Sequence, residues 1–427
     1  MFNKDYESLL ISLLNISDKD IVSINSFSSD SAEFSITIQL SRVSTCCPNC
    51  GSISFKSLGY YKKKVKVPNE LFDNIDVFFM IPRSLCLDCH HSFSDNRIIT
   101  PKCSSTSYKL ILKVMDLLKN PALSFKSVAE LTKLAPSTVV SIFDKYCHIG
   151  HIPFPEAICI DEVYTKNSDF DSKYSCIFYD FYNHSIVDVT PSRHKNYLFN
   201  YLQQFSKNEL DNVKYICIDM YQPYKDVCHF YFKKAIICVD SFHVIKHLND
   251  DLSKLRIRIM NRYDSDSVEY YLLKHWKNLL LDRSINLDNK GKFNKKLNRY
   301  INFRQLLELI LQIDPQLSTA YHLKERYIQF NASSDFDHAQ QQLDILINDF
   351  NNSNIPEFSE FVTLLKNWRK EIINSFILYK GRRLNTSVAE SMNSTIARLI
   401  YNSKGIRNSD RRRKRIIYAI NKKGFTL

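Results

Sequence analysis

Two runs in the first hundred residues, Lys62 to Val67 and Ile75 to Ile81, are rich in β-branched and aromatic residues and predict strands. The period then changes. From Tyr108 to Lys119 the apolar positions Leu110, Ile111, Val114, Leu117 and Leu118 share one helical face. Ser124 caps a short helix through Leu131, Leu134-Ala135 forms a turn, and Pro136-Ser137-Thr138 opens a third helix through Tyr146. Strand-like runs return at Ala157 to Ile160, Tyr174 to Phe181 and Ser185 to Thr190. A helix over Lys195 to Phe205 follows, then a strand Val213 to Ile218, a helix Pro223 to Phe232, a strand Ala235 to Val239 and a helix from Phe242. Residues 251–380 are dominated by helical patterns, such as Tyr270 to Leu281, Phe303 to Ile313, Ala339 to Phe350 and Phe358 to Ile377, with loops near Asn286 to Asn294 and Asn351 to Pro356.

The short helix, tight turn and hydroxyl-led third helix have the pattern of a helix-turn-helix, which makes Ser137 and Thr138 candidates for DNA contact. Three strands, helix, strand, helix, strand, helix is the order of a ribonuclease-H-like fold. In that fold the first and fourth strands lie side by side. Asp161 and Asp219, each ending one of those runs, then face each other. Two such carboxylates and a third can hold a pair of hard cations, magnesium or manganese, for phosphodiester chemistry. The third candidate is Glu390, 171 residues beyond Asp219, in the helical run Asn385-Thr386-Ser387-Val388-Ala389-Glu390-Ser391-Met392-Asn393. It is the only acid between Gly381 and Ser409. Aspartates that cap turns and a Glu that complements a helix dipole are the blander alternative for each acid taken singly.

Cysteine usage adds a second site. Cys47-x-x-Cys50 and Cys86-x-x-Cys89, separated by 35 residues, predict a four-thiolate structural zinc site in a ribbon over about residues 40–95. A redox pair is the rival, and Cys46, His90, His91 and Cys103 lie close enough to substitute as ligands.

The chain has 427 residues, 44% hydrophobic and 24% charged, too long for one small module and too apolar for a disordered chain. Its longest apolar runs, such as Ala235 to Val239, fall far short of the ~18–20 residues of a membrane span. Met1 to Leu10 carries Asp5 and Glu7 and lacks the features of a secretion signal, so the expected location is the cytoplasm. The formal charge of +13 is uneven: residues 381–427 carry +10, concentrated in Arg411-Arg412-Arg413-Lys414-Arg415. That block is expected to meet DNA phosphates.

Ile158-Cys159-Ile160-Asp161-Glu162, Cys217-Ile218-Asp219-Met220 with Tyr224, and Val239-Asp240-Ser241-Phe242-His243 together resemble the bacterial ISL3 insertion-sequence transposases. The resemblance covers almost the whole chain, with Ser391 standing where the family often has glycine after its third acid. It implies DDE chemistry by Asp161, Asp219 and Glu390, with Asp240 and His243 in support. It further implies double-stranded DNA as partner, both terminal inverted repeats and target, and at least a homodimer on DNA. The expected architecture is multidomain α+β: a zinc-ribbon region (1–100), a helix-turn-helix (101–150), a ribonuclease-H-like core (151–250), an α-helical insertion (251–380) and a final catalytic helix with the basic segment (381–427). The expected activity is cleavage at element ends and transfer of 3′-hydroxyls to target DNA. A non-catalytic DNA-binding derivative and a nuclease without strand transfer are the alternatives. A fragment ending at residue 150 is expected to keep repeat-specific binding.

Overall fold

A computed structural model describes residues 21–28, 34–68, 75–94, 99–101, 103–167, 170, 172–282, 284–403 and 406–421. The segment Met1 to Leu10 weighed above as a signal lies outside them. The chain divides into two compact units, residues 1–150 with 398–427, and residues 151–397.

In the first unit, β1 (Ile21–Ser28), β2 (Phe34–Leu40), β3 (Phe55–Val65), β4 (Ile75–Cys86) and β5 (Ser92–Ser94) form one sheet in the order β1-β2-β4-β3, with β5 on β4. The antiparallel pair β3–β4 contains the predicted run Ile75 to Ile81 and the predicted run from Lys62 as far as Val65. Its register slips between Ser57 and Tyr60, where Gly59 takes φ +76, a bulge conformation that suits a residue without Cβ. The β1–β2 pair was not anticipated; β2 runs parallel to β4, and Ile36, Ile38, Val77 and Phe79 form a buried cluster.

Three helices follow: α1 (Tyr108–Leu117), α2 (Phe125–Thr132) and α3 (Pro136–Tyr146). Ser107 and Ser124 cap the first two, and Lys133 in the left-handed region (φ 51) ends α2 and starts the turn. Val114, Val128, Val139 and Phe143 make their core.

In the second unit, β6 (Ala157–Asn167), β7 (Ser172–Asp180) and β8 (Ser185–Thr190) form an antiparallel meander. Then come α4 (Lys195–Leu202), α5 (Lys207–Asn212), β9 (Tyr215–Ile218), α6 (Gln222–Tyr231), β10 (Ile236–Val239) and α7 (Ser241–Met260). The sheet order is β10-β9-β6-β7-β8, with β9 parallel to both neighbours. The first and fourth strands of this set are therefore adjacent, as the element order requires.

Helices α8 (Val268–His275), α9 (Asn278–Leu281), α10 (Phe303–Gln312), α11 (Pro315–Ser333), α12 (Phe336–Asn352), α13 (Phe358–Asn367) and α14 (Arg369–Asn374) occupy the long interval, with a hairpin β11 (Lys292–Asn294) and β12 (Arg299–Ile301) among them. Two predicted helices are broken, at Trp276 and at Trp368. One apolar cluster runs from Phe154 through Leu248 to Phe376, so these helices share a core with the sheet. The Asn374 amide donates to Ile237 O at 2.8 Å, fixing the end of α14 on the edge strand β10. A short hairpin, β13 (Leu378–Tyr379) and β14 (Arg382–Arg383), leads to α15 (Ser387–Asn402), and α16 (Ser409–Asn421) closes the described chain.

Candidate functional site

Strand β6 does not end at Asp161. Its pairing with β9 stops at Ile160–Ile218, but β7 carries the strand on to Asn167. Upstream of Asp161 both faces are buried; beyond it Val163 and Thr165 are buried while Tyr164 and Lys166 are exposed, the alternation of a strand with one solvent face. Asp161 thus sits where β6 loses its parallel neighbour, beside the point where the chain leaves β9 at Asp219.

One face of β6 receives the segment that carries Glu390. Cys159 Sγ donates to Asn385 O at 3.3 Å, and Asn393 Nδ2 donates to Asp161 Oδ2 at 2.7 Å. Tyr179, the partner of Cys159 on β7, donates its hydroxyl to Asn393 Oδ1. Glu390 lies in the first turn of α15, three residues before Asn393 and so on a neighbouring part of the same helical face. Asp240, 3% exposed, braces the approach: its Oδ1 accepts Phe242 N at 2.9 Å and caps α7, while Oδ2 accepts Thr386 N at 2.8 Å and the Thr386 hydroxyl.

The electrostatics report the same convergence. Burial, with repulsion from Asp219, Glu162 and Glu390, pushes Asp161 up to about 7 although the Glu162 N–H favours its charge. Burial also raises Asp219, with Glu162 adding repulsion and with His243 and Arg193 acting in the opposite direction. Asp161 is buried, Asp219 and Glu162 are half-buried and Glu390 is exposed, a gathering of acids with incomplete compensation that makes this the candidate cation site. The Nδ1 of His243 is buried with no hydrogen-bond partner among the described residues.

Sequence reasoning missed four members. Glu162 directly follows Asp161 and binds Arg193, whose guanidinium lies between the rings of Tyr174 and Tyr221 at 4.5 and 4.6 Å. Asn393 and Thr386 belong to the run that carries Glu390, and their spacing around it was the available signal.

The four cysteines also meet. Cys47 and Cys50 lie in the turn before β3, and Cys86 and Cys89 end β4 and enter the next turn. Their sulfurs lie within 4.8 Å of one another, with Cys47–Cys89 at 3.7 Å and Cys50–Cys86 at 3.6 Å. Four sulfurs around an ion at ~2.3 Å form a tetrahedron with edges of about 3.8 Å, so the spacing fits a metal and not a disulfide. Cys46, His90, His91 and Cys103 are outside the group. The backbone N–H of His91 and the Asn49 amide hold Cys89 down to about 6. Cys50, despite the Ser52 N–H aimed at it, is pushed up to about 12 by its neighbouring thiols.

Ser137 is exposed and Thr138 half-exposed in the first turn of α3. The basic run departs from expectation. Arg415 is fully buried, donating to the carbonyls of Leu118, Asn120 (3.0 Å) and Leu123 (2.8 Å) beyond α1. Arg412 is buried on Ile406 O at 2.7 Å, Arg411 pairs in two-point fashion with Asp144 of α3, and Lys414 pairs with Asp410 at 2.7 Å. Arg413 is half-exposed. Arg412 and Arg415 are thus structural, because the apolar Ile416, Ile417, Tyr418 and Ala419 that follow draw this helix into the protein.

A mixed α+β protein whose five-stranded sheet sets Asp161 within one strand beside Asp219 at the end of its parallel neighbour has the arrangement of acids found in metal-dependent phosphodiester enzymes. A family model described as a transposase, that of the ISL3-type DDE transposases, matches residues 158–416. The chain belongs to this family, and is therefore a DNA-processing enzyme built on a ribonuclease-H-like core. No curated protein matches it in sequence. Among the described residues no helix is long and apolar enough to cross a membrane.

Proposed function

We propose that the protein binds the terminal inverted repeats of an insertion sequence, hydrolyses the phosphodiester at the element ends and transfers the 3′-hydroxyls to target DNA. The observation that carries this reading is the Asn393–Asp161 hydrogen bond, which ties the Glu390 helix to Asp161, beside the point where β9 ends at Asp219. Asp161, Asp219 and Glu390 are the residues that would hold two magnesium or manganese ions, which when bound stabilise the attacking and leaving oxygens. Asp161 presents both oxygens already oriented, Oδ1 by Glu162 N and Oδ2 by Asn393, and Asp219 is oriented by Tyr221 N at 2.8 Å. The Glu162–Arg193 pair places a fixed cation near Asp219. The four cysteines hold zinc, which stabilises the turns on either side of β3 and β4. Ser137, Thr138 and the first turn of α3 face the repeat, with Arg413 contributing charge, and the protein works as at least a dimer on paired ends.

The test is a strand-transfer assay with the full chain, its flanking repeat DNA and magnesium or manganese. Joined products are expected from the wild type. Asp161→Ala, Asp219→Ala and Glu390→Ala should abolish cleavage and joining while repeat binding stays nearly unchanged. Wild-type binding with no cleavage would identify a DNA-binding derivative, and cleavage with no joining a nuclease.

A further inference from the structure

The hairpin β11–β12 has two unlike faces. Adjacent strand residues point to opposite sides, and here Asn294 and Ile301 are 7% and 5% exposed while the cross-strand partners Phe293 and Tyr300 are 49% and 75% exposed. The two outward rings lie 5.4 Å apart. The hairpin tip is held in shape: the Asn294 side chain accepts the N–H of Lys296 and Leu297 and donates to Tyr271 Oη at 3.1 Å. Such a fixed, exposed aromatic pair has no role in the core of the unit.

Charge narrows what it meets. No acid lies between Asp288 and Glu308. Arg304 pairs with Asp288 and Lys296 binds Asp266 O, but Lys290, Lys292, Lys295 and Arg299 are exposed, with side chains unpaired among the described residues. A hollow of about 690 Å³ opens beside the hairpin, walled by Tyr271, Trp276, Phe293 and Phe303. The indole N–H of Trp276 is buried without a hydrogen-bond partner among the described residues. Cations on both sides of the hairpin, Lys292 and Arg299 opposite the rings and Lys290 and Lys295 beyond the strand ends, argue against a second copy, which would bring like charges together. Aromatic faces flanked by cations suit a strand whose bases are unstacked, because a duplex keeps those faces covered.

We propose that the hairpin and its hollow bind an unpaired stretch of DNA. The cations take phosphates, Phe293 and Tyr300 stack on exposed bases, and one base enters the hollow within reach of the Trp276 N–H. The site rests on the reading of the protein as a DNA-joining enzyme, whose cleaved ends offer unpaired bases.

The experiment uses full-length protein without added divalent metal and two labelled probes, an oligothymidine of about 20 nucleotides and a duplex of equal length. In Phe293→Ala/Tyr300→Ala, single-strand affinity should fall roughly tenfold or more while duplex affinity changes less than about twofold. Phe293→Trp should retain single-strand binding. Binding should quench tryptophan emission in the wild type, and that quench should be absent in Trp276→Phe. Unchanged single-strand affinity in the double variant overturns the site, as does an equal loss on both probes. A loss confined to phosphatidylserine-containing vesicles would reassign the face to a membrane, and conversion of a dimer to monomer in sedimentation would reassign it to self-association. A wild type that joins repeat ends but does not bind the single strand overturns this site alone. One that neither binds nor joins repeat DNA overturns the reading beneath it.

Discussion

At the scale of single residues, the charge on Asp161 has a cost that metal binding should relieve. Its carboxyl stands at about 7 in the folded protein, against ~3.9 for an unfolded chain. Folding therefore favours the protonated form. The stabilisation is fully present below about pH 4 and is lost as pH rises through 7, a change of about 4 kcal/mol. Asp161→Asn should raise the melting temperature of magnesium-free protein at pH 8, with the gain shrinking toward pH 4. Magnesium should raise the wild-type melting temperature at pH 8 and that of the variant far less; parallel pH profiles for the two proteins would contradict this. Asn393 acts through the same carboxylate. Its loss in Asn393→Ala unties α15 from β6 and leaves the Tyr179 hydroxyl and one Asp161 oxygen without their partner. We expect joining to fall at least tenfold, on the scale of a mispositioned catalytic group, and the magnesium concentration for half-maximal rate to rise. A purely structural role would lower the melting temperature and leave that concentration unchanged. The three acids were nominated from the sequence because each closes an apolar run or stands alone among cations. Asn393 was not, since nothing in a local pattern says which strand its amide will reach 232 residues away.

At the scale of elements, α16 shows how a charge run can be misread. Five consecutive cations looked like a phosphate-binding surface, but the sequence turns apolar directly after them, and Tyr418 packs edge-on against Phe143 of α3 at 5.9 Å and donates to Met115 O at 3.0 Å. The three helices α1–α3 were legible nearly to their ends, because caps and a 3.6-residue period are local signals. The fourth helix of their core was hidden because it arrives more than 250 residues later in the chain. A fragment ending at Gly150 therefore lacks Tyr418, a buried member of that core. It should melt at a lower temperature than the corresponding transition of the full chain and bind repeat DNA poorly. Arg415→Ala strands three backbone carbonyls inside the protein and should cost about 3 kcal/mol or more, read by chemical denaturation. Arg411→Gln removes only the partly exposed pair with Asp144 and should cost under about 1 kcal/mol. Equal effects of the two substitutions would return α16 to the surface.

At the scale of the whole molecule, the four thiols and the three acids fall in different compact units with separate apolar clusters. The division itself was not readable in advance, because residues 398–427 rejoin the first unit and no nearby pattern announces a return. It makes the two proposed metal dependences separable. A structural four-thiolate metal binds the folded turns and not the unfolded chain, so its removal transfers binding free energy directly into lost stability of the sheet that carries it. The proposed carboxylate site would instead bind hard cations through an excess of charge, and losing them would leave a folded, repulsive site. Purified protein should contain about one zinc per chain. Stripping it with a thiol-compatible chelator, or replacing Cys50 by Ser, should lower a calorimetric transition belonging to the first unit and weaken repeat binding. A second transition should hold its temperature. Restoring magnesium alone should leave the lowered transition where it is, whereas zinc should return it in the wild type but not in Cys50→Ser. Protein isolated without zinc yet melting normally would exclude a structural metal at Cys47, Cys50, Cys86 and Cys89. A single transition displaced as a whole by chelation would show instead that the two units unfold as one.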